Sequence, residues 1–539
     1  MDLARRSFLQ QAVAWSAVGT TVIEPSVRAA ERSSAAAPAP VEYDVVVYGS
    51  TPGGIAAAIE AARRGCRVLL ACPQRHPGGM AASGLCTTDA VRRHFFGGFV
   101  QEFVGRVRAH YEKTLGTNSP EWKLVHDGWY YEPSVAERVF EDLIAGESER
   151  MTYRRGTHLL RAATAAGRIV AIDLETEQGH PLLVTARTFV DGTYEGDLAA
   201  AAKVPYRIGR EGRDEHGESL AGIHYMNWRS GKQIATPDTG EPSPAIQSYC
   251  ARSIFTDDEK KRLPIEKPAT YEEHLGDYLP LLDDFREGRV KRWSGGATLP
   301  GRKFEMNGMI EWRTSFNCPG VSWNWPDAER HHRARLAQFH VDHAAGMMWF
   351  LQHDPHVPDD LRRQVAPLGL HADEFRDTGG WPWQIYVRQG RRIVGRALVT
   401  QHNFTVDPQT GRTPRVEQPI ALGEHSFDIH PCHDRRYAVD GYMEGVLWYP
   451  KKAFGPAQPG QILWGALLPR GIDNLVVPVA MSATHVAFSV LRMEPVWMTT
   501  GQLAGLAAAA AREQSIDVAA LDPAPLPRTL NLLTEPPPG

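Results

Sequence analysis

Residues 45–48 read Val-Val-Val-Tyr, an apolar run without alternation, which predicts a strand covered on both faces in a parallel sheet. Gly-Ser-Thr-Pro-Gly-Gly follows at 49–54. An alanine-rich segment then predicts a helix over 55–64, ended by Gly65, and a second apolar run predicts a strand over 67–71. Much later a β run ends at Asp191-Gly192-Thr193, and a helix is expected from Glu195-Gly196-Asp197. Near the C-terminus "GIDNLVVPVAMSATHVAF" predicts a strand and a small-residue turn. "RMEPVWMTTGQLAGLAAAAA" predicts a long helix with proline near its start. Between these lie an amphipathic helix, "YEEHLGDYLPLLDDFREGRVKRW", and a second helical stretch placing His340, His343 and Met347 on one face. Strands that alternate with helices in this way point to an α/β fold.

The 49–54 turn carries the first chemistry. Against the pattern G-x-G-x-x-G, Gly49 and Gly54 are present and Thr51 replaces the middle glycine. The first glycine makes the turn, the last lets helix and strand pack, and the helix N-terminus faces an anion. Thr51, Pro52 and Gly53 complete the expected pyrophosphate contact, with the Thr51 hydroxyl holding the phosphate where bare backbone usually does. At the end of the second strand, where a carboxylate normally binds ribose hydroxyls, stand Cys72 and Pro73. A thiol is a poor acceptor, so Gln74 or a water is expected to take that role.

Further segments fit FAD better than a nicotinamide. "HPGGMAASGLCTTD" offers Gly78, Gly79 and Met80 to the ligand directly after the second strand. "FVDGTYEGDLAAAA" offers Asp191, Gly192, Thr193 and Glu195. The last segments offer Ser482, Gly501 and Gln502, on a helix whose positive end suits the flavin pyrimidine oxygen. With "YGSTPGGIAAA", "YRIGREGR", "YVRQGRRIVG" and "SATHVAFSVLRMEP", these stretches together make the chain resemble the FAD-dependent oxidoreductase family of the glutathione-reductase-like flavoprotein fold, over nearly all of residues 43 to about 512. Cys72 departs from the glutamate usual in that family, and Cys86 from its "GLG" stretch.

The resemblance implies a discontinuous Rossmann-like FAD-binding domain at 41–205 and 456–515, with an inserted α+β substrate or cap region at 206–455 and a tail at 516–539. No residue in the quoted stretches compels a covalent link, so FAD is expected to bind non-covalently, His94 and Cys86 being near enough in sequence to keep a link possible. It also brings two arginine- and histidine-bearing stretches, "WPWQIYVRQGRRIVGR" and "HSFDIHPCHDRR", toward the cofactor. His430 and His485 are then the candidate bases, with His430 oriented by Asp428 and Arg435; Arg388 and Arg392 are the candidate groups for fixing substrate or the reduced cofactor's charge. Trp323, Trp325, Trp381, Trp383 and Trp448 are dense enough to be sugar-stacking surfaces, although aromatic core is the commoner use.

Composition narrows this picture. The 539 residues carry a net charge of −4, too balanced for a nucleic-acid binder. None of the six cysteines pairs as C-x-x-C, and no metal site is expected, His340 and His343 lacking a third ligand. "RRSFL" at 5–9, a short apolar run and a small-residue end resemble a twin-arginine export signal with linker over 1–40. That predicts passage through the twin-arginine machinery to a periplasmic or extracellular location, and nothing after it is long and apolar enough to span a bilayer. The expected function is hydride transfer from a small, polyhydroxylated or carbohydrate substrate to flavin N5, with oxygen or a respiratory acceptor taking the electrons. The alternatives are a flavin-dependent isomerase or lyase without net redox change, and a binding protein that keeps the fold without chemistry.

Overall fold

Strand β1, Val41–Tyr48, lies at the centre of a seven-stranded sheet in the computed structural model. The structure describes residues 40–227, 239–288, 292–308, 312–434, 442–447 and 457–536. The predicted export signal, Arg435 and Trp448 lie outside them.

β1 pairs in parallel with β2 (Val68–Ala71) on one side and with β6 (Pro181–Asp191) on the other. β3 (Met151–Arg154) extends the sheet beyond β2. An antiparallel pair, β4 (His158–Ala165) and β5 (Arg168–Glu175), flanks β6, and Leu475–Val476 adds in parallel to the far half of β6. Val45 and Val47 belong to one hydrophobic cluster and Val46 and Tyr48 to another on the opposite face. The unbroken apolar run therefore reflects burial on both sides, each valine contributing roughly 1.5–3 kcal/mol.

The register aligns Tyr48 with both Ala71 and Asp191, so three strands end at one level. At that edge the Gly49 N–H donates to the Ala71 carbonyl and the Gly192 N–H to the Tyr48 carbonyl. Ligands of open α/β sheets bind at such a carboxyl edge. The first helix, α1, spans Pro52–Arg63, three residues earlier than the alanine run alone suggests. Thr51 is its N-cap and Pro52 its first residue, where the missing N–H costs nothing.

The C-terminal helix, Glu494–Gln514, lies against α1 so closely that side chains are excluded. A Cβ on Gly501 would sit 2.0 Å from the Gly53 carbonyl oxygen, and one on Gly505 2.2 Å from that of Ala57. The alanine and glycine content of both helices is the consequence of this approach. The middle of the chain builds a five-stranded antiparallel sheet, which includes Ile254–Thr256 and Lys303–Glu305, packed with the helix Arg330–His353 over its own hydrophobic cluster. The single amphipathic helix expected near 271–293 is instead two short ones, Tyr271–Tyr278 and Leu281–Arg286, broken at Pro280. No described helix is long and apolar enough to cross a membrane.

Candidate functional site

A cavity of about 530 Å³ opens at the carboxyl edge of the large sheet. Gly49, Ser50 and Thr51 form part of its wall, with Pro73, Gln74, Gly79, Thr193 and Glu195. Gly49 has φ +107°, and a Cβ there would lie 2.5 Å from the Gly192 carbonyl carbon. Only glycine allows both the backbone angle and the packing. Gly192 is confined in return: its Cβ would come within 2.7 Å of the Gly49 carbonyl oxygen.

The hydroxyl of Thr51 donates to the Gly192 carbonyl (2.6 Å) and accepts from the Gly54 N–H (3.2 Å). This corrects the expectation that it holds the phosphate: it locks the turn to the Asp191–Thr193 loop. Gly54 likewise spends its amide on the cap, and Pro52 has none. The amides of Ser50, Thr51 and Gly53 keep no protein acceptor among the described residues. Those three donors at a helix N-terminus are what an anion requires. Across the cavity, Arg333 makes a two-toothed pair with Asp197 (2.7 and 2.8 Å), and Arg391 bonds Asp197 (2.8 Å) and Asp327 (2.9 Å). Glu195 accepts from Trp325 Nε1 at 3.0 Å, and burial raises its carboxyl pKa.

Asp191 is fully buried. Its oxygens accept from the Thr193 amide and hydroxyl and from the Ala199 amide, while burial pushes its pKa up to about 6. It orders the loop and does not line the cavity. Cys72 also turns away: its thiol donates to the Gln74 carbonyl at 3.1 Å and lies 3.6 Å from the Tyr153 hydroxyl. Gln74 does reach the cavity, as expected. So do Glu175 and His158, paired across β4 and β5. Glu175 puts a carboxylate on the cavity wall from a strand a hundred residues after β2.

Gly78 and Gly79 have φ of +99° and +48°, and a Cβ on Gly79 would meet the Tyr194 hydroxyl at 2.3 Å. That hydroxyl accepts from the Met80 amide (2.8 Å) and donates to Glu494 Oε1 (2.6 Å). Tyr194 therefore ties the glycine loop to the start of the C-terminal helix. Burial pushes the Glu494 carboxyl up to about 8, so it is mostly protonated at neutral pH and leaves the positive end of the helix uncancelled. Its Oε2 is buried without a partner among the described residues. The sequence reading passed over Tyr194 and Glu494; their position inside two quoted motifs was the available signal. Gly501 and Gln502 pack instead of facing a ligand: Gln502 accepts from the Phe99 amide and donates to Glu60. Ser482 is buried in backbone pairing with Ala466 and Val399.

Arg392 lies wholly within the protein, bonded to Glu211 (2.8 Å) and to the carbonyls of Ala483 and Gly209. This arrangement gives it a structural role in place of the expected substrate contact. His485 is buried beside Arg210 and Arg392, with both ring nitrogens unpartnered among the described residues, and its pKa is driven far down by burial and those charges. Like His430 and Arg388, it does not line the cavity. His430 is also neutral, for burial and the Arg388, Arg492 and Arg252 charges push its pKa well down. Its Nε2 is 3.9 Å from Asp428 Oδ1, and Arg492 holds the other Asp428 oxygen at 2.9 Å. Arg388, Arg492 and Arg252 surround the ring of Tyr386 at 4.4, 5.9 and 5.6 Å.

Of the tryptophans, Trp325 and Trp383 line the cavity, Trp323 bonds the Cys432 carbonyl and Trp381 packs on the inserted core. His340 and His343 are both packed, bonded to the Ser322 hydroxyl and the Ser315 carbonyl. No group of three potential metal ligands occurs among the described residues, and all six cysteines are buried and free.

The model of the family described as FAD dependent oxidoreductase matches residues 44–530. No curated protein sequence matches the chain significantly. Among solved structures, the myxobacterial chondrochloren halogenase CndH, a variant of FAD-dependent halogenases, matches with a TM-score of 0.25 and 17% identity over 42% of this chain and 46% of that one. OxyS anhydrotetracycline hydroxylase from Streptomyces rimosus matches with a TM-score of 0.23 and 14% identity over 32% of this chain and 36% of that one. Both matches span less than half the length of those proteins.

Proposed function

We propose that this chain, which belongs to the FAD dependent oxidoreductase family, oxidises a small hydroxylated substrate by hydride removal, with His430 as the base. FAD is its cofactor, and when bound it supplies the hydride acceptor. The residues present fit it. The unspent amides of Ser50, Thr51 and Gly53 and the Arg333–Arg391 wall suit a pyrophosphate, and Gln74 and Glu175 suit ribose hydroxyls. Gly78, Gly79 and Met80, tied through Tyr194 to Glu494, suit the flavin end.

The observation that carries the reading is the glycine turn with three unspent amides opening on the cavity, in a chain that matches this family over most of its length. Oxidation of an alcohol carbon needs a group to take the hydroxyl proton. His430 suits this role because it is held neutral, its Nδ1 has no partner among the described residues, and Asp428 lies beside Nε2 to stabilise the protonated form. The electrons then pass to oxygen or a respiratory acceptor. The test is anaerobic mixing of the yellow protein with candidate alcohols. Bleaching that follows substrate concentration supports the reading. Turnover with no electron acceptor would favour an isomerase or lyase instead.

Export by the twin-arginine route is part of the same proposal, supported by Arg5-Arg6 ahead of a short apolar run. Replacing both arginines by lysine should retain the protein in the cytoplasm. Unchanged periplasmic yield would rule the route out.

A further inference from the structure

The basic cluster around Tyr386 holds more charge than its ion pairs use. Arg252 pairs with Glu305 and Arg492 with Asp428. Arg388 is entirely buried and has no carboxylate within ion-pair distance among the described residues. Its guanidinium donates to the Ser248 carbonyl and to Cys250 Sγ, and it lies over the Tyr386 ring. Asp89, itself bonded to the Thr87 hydroxyl, acts on Arg252 and Arg492 from a distance without pairing with either. A buried cation without a counter-ion costs several kcal/mol, so its retention asks for a partner.

Unmet hydrogen-bonding capacity gathers at the same place. The Nε atoms of Arg388, Arg492 and Arg252, His430 Nδ1, Ser248 Oγ and Asp428 Oδ1 are all buried without partners among the described residues. Buried polar atoms are normally satisfied, and six orphans in one cluster, mostly donors, mark a place for a polar ligand. The cluster is joined to the cofactor-end elements. Arg492 precedes the C-terminal helix by two residues and donates to the Tyr386 hydroxyl at 3.0 Å. A Cβ on Gly390 would lie 2.6 Å from the Tyr194 carbonyl oxygen, and Gln384, two residues before Tyr386, lines the cavity. His430 and Arg388 approach from two sides of the 247–250 segment: the His430 amide faces Gln247, the Ser248 amide bonds the Pro431 carbonyl, and Arg388 bonds the Ser248 carbonyl.

We propose that Arg388, with Arg492 beside it, is the anion subsite of the active site, and that the substrate is a hydroxy acid whose carboxylate docks there and presents its hydroxyl to His430. This rests on the reading of the chain as a flavin-dependent alcohol oxidant. A guanidinium and a carboxylate suit each other in charge and shape, and a neutral sugar would leave Arg388 uncompensated.

The test uses holoenzyme and the visible difference spectrum of its bound flavin, titrated under nitrogen with acetate, oxalate, D-gluconate and D-sorbitol. Sorbitol differs from gluconate in having a hydroxymethyl group in place of the carboxylate. At least one carboxylate should give a saturable shift, with sorbitol binding at least tenfold more weakly than gluconate. Arg388→Met should weaken the carboxylate response at least tenfold and Arg388→Lys less so. No response to any carboxylate in the yellow wild-type protein, equal responses to gluconate and sorbitol, or an unchanged response in Arg388→Met would each overturn the subsite while leaving the flavin reading in place. A wild-type protein that takes up no FAD would overturn both.

Discussion

Gly49→Ala tests the turn on which the cofactor reading stands. The substitution puts a side chain at φ +107°, which costs roughly 1–3 kcal/mol in backbone strain. Its Cβ would lie 2.5 Å from the Gly192 carbonyl carbon and 2.6 Å from the Thr193 nitrogen. These are backbone atoms, and a Cβ on Gly192 would in turn meet the Gly54 Cα at 2.7 Å, so the two segments leave no room for a side chain between them. Overpacking of that kind adds about 1–3 kcal/mol. Together the two give roughly 2–6 kcal/mol, a large part of the usual 5–15 kcal/mol of a folded domain. In a unit of this size each kcal/mol lowers Tm by only about 1 °C, so flavin content is the sharper readout. The purified variant should carry little FAD, judged by visible absorbance per protein, and should melt at least about 2 °C lower than wild type with FAD stripped from both. Gly105→Ala is the control, since Gly105 sits mid-helix with nothing within 4 Å of its Cβ, and should be neutral or slightly stabilising. Wild-type flavin content and melting in Gly49→Ala would refute the argument.

His430→Gln should keep its colour and slow flavin reduction about 100-fold, whereas His485→Gln should alter stability with little effect on reduction; stopped-flow bleaching separates them. Gly501→Ala, with a Cβ 2.0 Å from the Gly53 carbonyl oxygen, should part the two helices, lower Tm and weaken FAD binding measured by fluorescence titration. Glu494 is protonated in the folded protein up to about pH 8 but ionises near 4.5 when unfolded, so its contribution to stability falls as pH rises from 4.5 to 8, by at most about 1.4 kcal/mol per unit. Glu494→Gln should remove that component from urea melts taken across the range, and an unchanged pH slope would contradict it.

The elements that hold the cofactor were legible because local pattern and burial agree there. An unbroken Val-Val-Val-Tyr run, a glycine turn and an alanine helix have one arrangement that satisfies all three. What the pattern hid depends on contacts distant in sequence. Thr51 looks like a phosphate ligand until Gly192, 141 residues on, takes its hydroxyl. Asp191 looks like a ligand group until its own loop amides are seen to consume it. Glu175 gives no signal, because nothing in a sequence places the end of β5 on the wall of this cavity. Gly501 looks like a cofactor contact until Gly53, more than four hundred residues earlier, is seen to occupy the space beside it. Arg388 and Arg392 are four residues apart in one motif, yet Arg392 has a carboxylate partner and Arg388 has none among the described residues.

The cavity at the carboxyl edge of the sheet is proposed to hold a redox-active FAD. The most direct measurement is the visible spectrum of the purified protein, before and after acid precipitation and during anaerobic addition of a hydroxy acid. The spectrum should show the two bands of an oxidised flavin, which should pass into the acid supernatant as FAD and bleach on addition of substrate. A colourless protein that stays colourless when incubated with FAD, in its folded state, would contradict it.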